Sequence, residues 1–237
     1  FRITKEECLD LPKKIYTSRT VELTPEQVKA YTEMKKMALA LFEEGEATTI
    51  NALTQVLRLH QIVCGHIKLD NDRIKPLPNK RFDELLNVIE ESDGKMIIWA
   101  NYRHDIMMIS KKLADLFGPC SVGTYYGDTK LEQRQNTLKE FQDKNSSMRF
   151  FVGNPRTGGY GITLTEAKTV VYYSNNFDLE VRLQSEDRAH RIGQENNVVY
   201  VDLSAEKTVD EKIVKALRSK INIASEVLGE EIKEWLI

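Results

Sequence analysis

Hydrophobic positions from residue 80 onward come in short unbroken runs that are separated by amphipathic stretches. The runs are rich in apolar, β-branched and aromatic residues, so they predict strands that are covered on both faces. The predicted strands are residues 96–100, 122–126, 148–152, 169–173 and 198–203, and the predicted helices are residues 104–117, 131–141, 179–191 and 209–221. This alternation predicts an α/β fold, an open parallel sheet with helices on both faces, whose functional loops lie at the carboxyl ends of the strands.

The first 79 residues show a different, mainly helical pattern. Their strand signal and two long helical stretches are residues 15–23, 25–44 and 51–67. Thr24 and Pro25 favour a helix start, since threonine is a good N-cap and proline fits the first turn. Two prolines within residues 71–79 indicate a joint. We therefore predict an N-terminal helical appendage at 1–79, an α/β domain at 80–203 and a C-terminal helical extension at 204–237.

Composition narrows the class of protein. The 237 residues are 41% hydrophobic, which is enough for a core. The 34 basic residues are balanced by 36 acidic ones, so the net charge of −2 does not attract nucleic acid. Any nucleic acid must therefore be bound by a local group of basic residues. No apolar run approaches the roughly 18 residues of a membrane span, and no signal-peptide core opens the chain. We predict an intracellular protein without membrane contact, in the cytoplasm or nucleoid, or in the host cytoplasm if it is viral.

The cysteines and the first residue add two expectations. Cys8, Cys64 and Cys120 are odd in number and far apart, which argues against a disulfide framework or a structural zinc site. The chain begins at Phe1 in a patterned segment, so we expect a piece of a longer protein.

A glycine-rich segment, NPRTGGYGITLTEA at 154–167, follows the third predicted strand. Glycine permits positive φ and close backbone approach, so successive N–H groups can face a phosphate, with threonine hydroxyls as further donors. A tight turn between two elements would use the same residues. The dinucleotide-binding spacing fails, because Leu164 stands where a third glycine is needed.

A second polar segment falls in the predicted helix at 179–191. Gln184, Asp187, Arg188 and Arg191 stand at i, i+3, i+4 and i+7, so a helix would bring them to one face. Two guanidinium groups on one face can bind phosphate oxygens and stabilise charge on a transferring γ-phosphoryl group. The alternative is a solvated, salt-bridged face, because Glu186 and Asp187 could neutralise both arginines.

These two segments, on either side of the strand TVVYY, resemble helicase motifs V and VI of superfamily 2. GGYGITLTEA followed by QSEDRAHRIGQ is similar to the Swi/Snf-type family of DNA-dependent ATPases. KMIIWANYRHDIMMI resembles motif IV, and YYGDTKLEQRQNTLKEFQ resembles the helical motif after it. RITKEECLDLPKKIY, TPEQVKAYTEM and LTQVLRLHQIVCGH resemble the stretch that joins the two motor lobes. The resemblance covers residues 1–203 and implies the C-terminal RecA-like lobe of a double-stranded DNA translocase, with the inter-lobe linker inside the appendage.

In that family ATP with Mg²⁺ binds between two lobes and is held mainly by the first. The chain has no G-x-x-x-x-G-K-[ST] loop, because Gly94 and Lys95 are followed by Met96. The resemblance therefore implies a second lobe that supplies arginine fingers, needs an N-terminal RecA-like lobe as its partner, and hydrolyses ATP negligibly by itself.

The resemblance also implies a role for each matching position. Arg188 and Arg191 are the implied arginine fingers, with Arg191 the principal one, and Gln184 and Asp187 orient them and sense the γ-phosphate. The positions that would couple nucleotide to strand contact are Gly159, Gly161 and Thr165. The implied contacts to nucleic-acid phosphates are Thr157, Gly158, Arg156, Arg134 and Lys130.

The implied DNA is duplex and bound independently of sequence, and we predict a monomer without a metal site of its own. His60, Cys64 and His66 are near enough in sequence to suggest metal ligands, but the resemblance explains them as helix residues. Asn154 and Pro155 stand where the family has Ser and Thr, which favours a short bacterial or viral form. Two other functions stay open: an RNA helicase lobe, and a degenerate lobe that serves as a protein-docking scaffold.

Overall fold

A computed structural model of the chain describes residues 11–43, 49–69, 73–158 and 161–219. Its strands are β1 (Lys14–Thr20), β2 (His66–Lys68), β3 (Ile74–Pro76), β4 (Lys95–Trp99), β5 (Val122–Tyr125), β6 (Phe150–Gly153), β7 (Ala167–Tyr172) and β8 (Val198–Ser204). Its helices are α1 (Pro25–Glu43), α2 (Thr49–Cys64), α3 (Arg81–Glu90), α4 (Arg103–Phe117), α5 (Leu131–Gln142), α6 (Pro155–Gly158), α7 (Leu179–Ala189) and α8 (Val209–Arg218). Within these described ranges, no helix combines the length and the apolar character that crossing a bilayer requires.

The chain forms two compact units, and the first contains the main sheet. The described parts of this unit are residues 11–18, 87–158, 161–174 and 180–202. Six strands lie in the order β1-β8-β7-β4-β6-β5. The pairs β5–β6, β6–β4, β4–β7 and β7–β8 are all parallel. The predicted α/β fold with a parallel sheet is thus confirmed, and all five predicted strands are present.

The core of this unit lies along the central strands. Trp99, at the end of β4, meets Phe151 of β6 edge to face, with ring centroids 5.8 Å apart. Gly153 ends β6 in a place without room for a side chain. A Cβ there would lie 2.7 Å from the Tyr125 carbonyl oxygen and 3.1 Å from the Trp99 ring. The backbone at Gly153 therefore packs directly against β4 and β5, and the chain leaves the sheet at the next residue.

The second unit is mainly helical, with described parts at 19–43, 49–69, 73–86, 175–179 and 203–219. Its helices α1, α2 and α8 share an apolar core of Ala38, Val56, Leu59, Val209, Ile213 and Leu217. The helix start at Thr24 is confirmed, because the Gln27 N–H donates to Thr24 Oγ1 and the Thr24 N–H to Gln27 Oε1. The predicted domain boundaries after 79 and 203 stay predictions, and the predicted helical residues 220 and 221 lie outside the described ones.

The centre of the second unit contains buried charge. Arg81 donates through Nη2 to Asp210 and through Nη1 to the Leu203 carbonyl. His60 Nε2 lies 3.4 Å from the other Asp210 oxygen, and it lies 3.9 Å from Cys64 Sγ. Burial alone would raise the pKa of Asp210, but the charges and hydrogen bonds of Arg81 and His60 lower it to about 2.

The structure corrects the expectation of a helix over 51–67. Helix α2 ends at Cys64, and Gly65 takes a φ of +93°, in the left-handed region that glycine tolerates. The short antiparallel pair β2–β3 follows, with His66 opposite Pro76. Strands of three residues are too short to show a period of two, so the hydrophobic pattern could not reveal them.

Candidate nucleotide and nucleic-acid site

Helix α7 carries the candidate arginines at its carboxyl end. It ends at Ala189, so the expectation of a helix through residue 191 is wrong by two residues. Gly193 has a φ of +96°, and the Gln194 N–H donates to the Arg191 carbonyl at 3.0 Å, which turns the chain. Arg188 thus lies in the last helical turn, and Arg191 lies just beyond it.

The two guanidinium groups converge on the loop before β7. Nη1 of Arg188 and Nη1 of Arg191 each donate to the Ile162 carbonyl at 3.4 Å. Arg191 Nη1 also donates to Thr163 Oγ1 at 3.1 Å. Partial burial and the neighbouring charge of Arg191 lower the pKa of Arg188, while Asp187 opposes this shift. Two half-buried cations at one point form a suitable binding place for an anion.

Gln184 and Asp187 lie on the same helix, but their side chains have further partners. Gln184 Nε2 donates to Glu180 Oε1 at 2.8 Å, and its backbone carbonyl accepts from Arg188 Nε at 3.1 Å. Asp187 Oδ1 lies 3.6 Å from Lys14 Nζ. Ile162, which the sequence did not single out, and Thr163, one of the loop threonines considered as phosphate donors, supply oxygen acceptors to the guanidinium groups. The orienting and sensing roles of Gln184 and Asp187 stay predictions.

The inward face of α7 carries a buried ionic network that the sequence analysis missed. Arg182 donates to Asp202 Oδ1 at 2.5 Å and to Glu186 Oε1 at 2.8 Å, and its guanidinium lies 3.5 Å from the Tyr172 ring centroid. Glu186 also accepts from the Tyr16 hydroxyl at 2.7 Å. Both Glu186 oxygens are therefore bonded to groups in the interior. This argues against the alternative in which Glu186 neutralises Arg188 and Arg191. The i, i+4 spacing of Arg182 and Glu186 was the available signal.

Residues 154–158 lie at the carboxyl end of β6. Asn154 Nδ2 donates to the Asn101 carbonyl at 2.9 Å, and the Asn154 N–H donates to the Tyr125 carbonyl at 3.0 Å. These bonds tie the segment to the ends of β4 and β5. The predicted contacts Arg156, Thr157 and Gly158 follow in the single turn α6, where Arg156 is exposed and Thr157 half-buried. Gly159 lies outside the described residues.

The other two predicted nucleic-acid contacts belong to the loop after β5. Arg134 Nη2 donates to the carbonyls of Tyr126 at 3.0 Å and Gly127 at 2.5 Å. Its guanidinium also lies 5.5 Å from the Tyr125 ring centroid. Arg134 therefore shapes this loop, and Lys130 is exposed where the loop enters α5. A contact between either residue and nucleic acid stays a prediction.

Thr165 and Gly161, predicted to couple nucleotide to strand contact, lie on the loop that also holds the arginines. Gly161 is exposed, with a φ of +71°. Thr165 is held from two sides, because its hydroxyl accepts from Gln142 Nε2 at 3.1 Å and its carbonyl from Gln194 Nε2 at 2.9 Å. The sequence analysis gave no role to either glutamine.

The candidate residues occupy opposite edges of the sheet. Residues 154–158 follow the carboxyl end of β6, whereas residues 162–165 come just before β7 and contact Arg188 and Arg191. Strands of four to six residues at about 3.3 Å per residue separate these edges by roughly 13–20 Å. The expectation that the functional loops lie at the carboxyl ends is therefore wrong for the arginine pair.

Comparison with known proteins finds similarity to ATP-dependent helicases. The model of the helicase conserved C-terminal domain matches residues 80–193. An ATP-dependent helicase of Mycoplasma genitalium is 29% identical over 98% of this chain and 22% of its own length. The SWI/SNF chromatin-remodeling complex subunit snf22 of Schizosaccharomyces pombe is 25% identical over 96% of this chain and 14% of its own length. The chain thus spans less than a quarter of either relative.

A solved structure agrees with these matches. The SWI2/SNF2 ATPase core of Sulfolobus solfataricus in complex with dsDNA has a TM-score of 0.70 to this chain, at 26% identity. The alignment covers 92% of this chain and 47% of that one. The RecA-like fold class is confirmed. Residues 80–193 thus match the helicase conserved C-terminal domain, and the chain is similar to Swi/Snf-type ATPases over nearly its whole length.

Proposed function

We propose that this chain is the second motor lobe of an ATP-dependent translocase on double-stranded DNA, and that it acts with an N-terminal RecA-like lobe. The observation that carries this proposal is the convergence of Arg188 and Arg191 on the Ile162 carbonyl. In the described part of the chain, Arg191 forms no ion pair with a carboxylate, so its charge is available to an anion.

Bound ATP would supply the γ-phosphoryl group, and the arginines would stabilise the charge that develops on its oxygens. Guanidinium groups suit this task because they stay ionised and present several donors in one plane. Ile162 and Thr163 hold the pair in place through weak, replaceable bonds of 3.1–3.4 Å. Mg²⁺ would be held mainly by the N-terminal lobe, and this chain alone would hydrolyse ATP negligibly.

Duplex DNA would lie at the other edge of the sheet, along residues 154–158 and Lys130. The exposed side chains there, Arg156 and Lys130, can reach backbone phosphates, which gives affinity without sequence preference. The solved relative with dsDNA supports this choice over RNA. Such a motor would act inside the cell, where DNA and ATP meet.

The test is Arg191→Ala in the two-lobed protein that carries this chain. Loss of an arginine finger is expected to lower the DNA-stimulated kcat for ATP about 10³-fold, because the transition-state charge loses its partner. Lys215→Ala, which removes an exposed cation of α8, is the control and should leave kcat unchanged.

Steady-state ATPase assays with duplex DNA and with duplex RNA complete the test. Equal stimulation by both nucleic acids would favour an RNA helicase lobe. Near-normal turnover of Arg191→Ala and of Arg188→Ala would reject the motor role and favour a docking scaffold.

A further inference from the structure

Gln194 joins two stretches of backbone that are separate in sequence, residues 165–167 and the end of helix α7. The two N–H groups of its Nε2 are shared among the carbonyls of Thr165 at 2.9 Å, Ala167 at 3.1 Å and Ala189 at 3.0 Å. Its Oε1 accepts from the Asn196 N–H at 2.9 Å. The residue is 6% exposed, so water does not replace these bonds easily. A single buried amide thus binds the loop before β7 to the end of helix α7.

The contacts fall where α7 needs hydrogen-bond donors. The last carbonyls of a helix have no partner within it. Here the Ala189 carbonyl accepts from Gln194, and the Arg188 carbonyl accepts from the Leu164 N–H at 2.9 Å. The loop and the glutamine therefore complete the helix end from which Arg188 and Arg191 extend. A displacement of the loop must move or break these bonds.

Gln142 holds the same loop from the other side by a different kind of bond. Its Nε2 donates to Thr165 Oγ1 at 3.1 Å, and its Oε1 accepts from the Glu166 N–H at 3.2 Å. A hydroxyl can also donate, so the bond to Thr165 survives if residue 142 becomes an acceptor only. The carbonyl groups that bind Gln194 can only accept hydrogen bonds, so they would lose their partner if residue 194 became an acceptor only. The two glutamines can therefore be told apart by experiment.

We propose that Gln194 is a positioning residue that couples nucleic acid bound near residues 154–158 to the arginine pair, by tying the loop of residues 161–166 to the end of α7. This inference rests on the proposed function. It follows from the path of the chain, because one segment runs from the carboxyl end of β6 to the amino end of β7. Gln194 is the side chain that fixes the far end of this segment to the helix.

The test compares Gln194→Glu with Gln142→Glu in the two-lobed protein. Glutamate keeps the size of the side chain and the acceptor for Asn196, but it cannot donate to three carbonyls. The ratio of DNA-stimulated to basal kcat should fall about tenfold in Gln194→Glu, the range typical of a coupling between two sites. The same ratio should stay within about twofold in Gln142→Glu, because that loop contact can reverse.

Each outcome decides the inference. An unchanged ratio in Gln194→Glu, or an equal fall in both variants, overturns the assignment to the Gln194 amide. If the wild-type protein shows no stimulation by duplex DNA, the proposed function itself fails. Stimulation that depends on Arg191 but not on Gln194 defeats only the coupling.

A measurement on the unaltered protein covers the case in which Gln194→Glu does not fold. Hydrogen exchange is followed with and without a duplex oligonucleotide. Coupling predicts slower exchange at the amide of Leu164 together with residues 188–191, because the loop and the helix end move as one. Slower exchange at residues 154–158 alone contradicts it.

Discussion

At the scale of single residues, two buried charge clusters dominate, one in each unit. Arg182 with Asp202 and Glu186 lies under α7, and Asp210 with Arg81 and His60 lies inside the helical unit. A buried charge is tolerated only with its partners, since the cost of removing it from water must be offset by nearby opposite charge and hydrogen bonds. Substitution of one partner should therefore be far more harmful than the loss of an exposed pair.

Arg182→Met tests this contrast. It removes the guanidinium that the buried Asp202 and Glu186 share and leaves Glu186, among the described residues, only the cation of Lys14 at 3.2 Å, so the free energy of unfolding should fall by about 3–5 kcal/mol. Arg103→Ala removes one partner of an exposed pair with Asp128 and should cost less than about 1 kcal/mol. Urea denaturation followed by circular dichroism measures both. Similar losses in the two variants would contradict the role of burial.

Asp210 predicts a dependence of stability on pH. Its pKa is about 2 in the folded chain, against an ordinary value of 3.8. A lowered folded pKa means that the stabilisation is complete above pH 3.8 and is lost as the pH falls toward 2. The free energy of unfolding, measured by urea titration, should fall more steeply over this window in the wild type than in Asp210→Asn. Parallel curves would show that Asp210 carries no such linkage.

At the scale of elements, the hydrophobic pattern predicted the strands and helices of the sheet because their buried runs and periods are local properties. The pattern could not predict which side chain bonds to which backbone group. Gln194 and Gln142 reach a loop 23 to 29 residues away in sequence, and nothing in their neighbourhood indicates this. The family resemblance made Arg188 and Arg191 the candidate arginine fingers, which stays a prediction, and the edge of the sheet on which they lie became visible only in three dimensions.

The end of β6 offers a test at this scale. Gly153→Ala would place a Cβ 2.7 Å from the Tyr125 carbonyl oxygen, so overpacking should reduce the free energy of unfolding by about 1–3 kcal/mol. Gly127→Ala is a matched control, since no atom lies within 4 Å of the added Cβ, and it should change stability by less than about 0.5 kcal/mol. Thermal or urea unfolding of both variants checks the difference. A neutral Gly153→Ala would mean that β6 can shift without cost.

At the scale of the whole molecule, the chain has a net charge of −2, yet it is proposed to bind a polyanion. This combination requires that the binding cations be few and local, so the sensitivity of binding to salt should depend on single residues. The candidate residues also lie at two opposite edges of the sheet, and the DNA is proposed to bind at only one of them. Only cations at the carboxyl edge should contribute to DNA affinity.

Arg156→Ala tests the position of the DNA. The slope of log affinity against log salt should decrease in magnitude by about 1, since one phosphate contact is lost. Lys168→Ala removes an exposed cation near the start of β7, at the opposite edge, and should leave the slope unchanged. Fluorescence anisotropy with duplex DNA at several salt concentrations measures both. A larger effect of Lys168 would place the DNA at the wrong edge for this proposal.

The thirteen residues from Asn154 to Glu166 have a consequence for protein engineering. Their first residue is bonded to the loop after β4 and to the last residue of β5, and their last two are bonded to Gln142 and Gln194. A glycine inserted beside the exposed Gly161 would preserve these hydrogen bonds and would only make the segment between them longer and more flexible. If the proposed coupling operates, such a variant folds and binds ATP and DNA, but its ATP hydrolysis no longer depends on DNA.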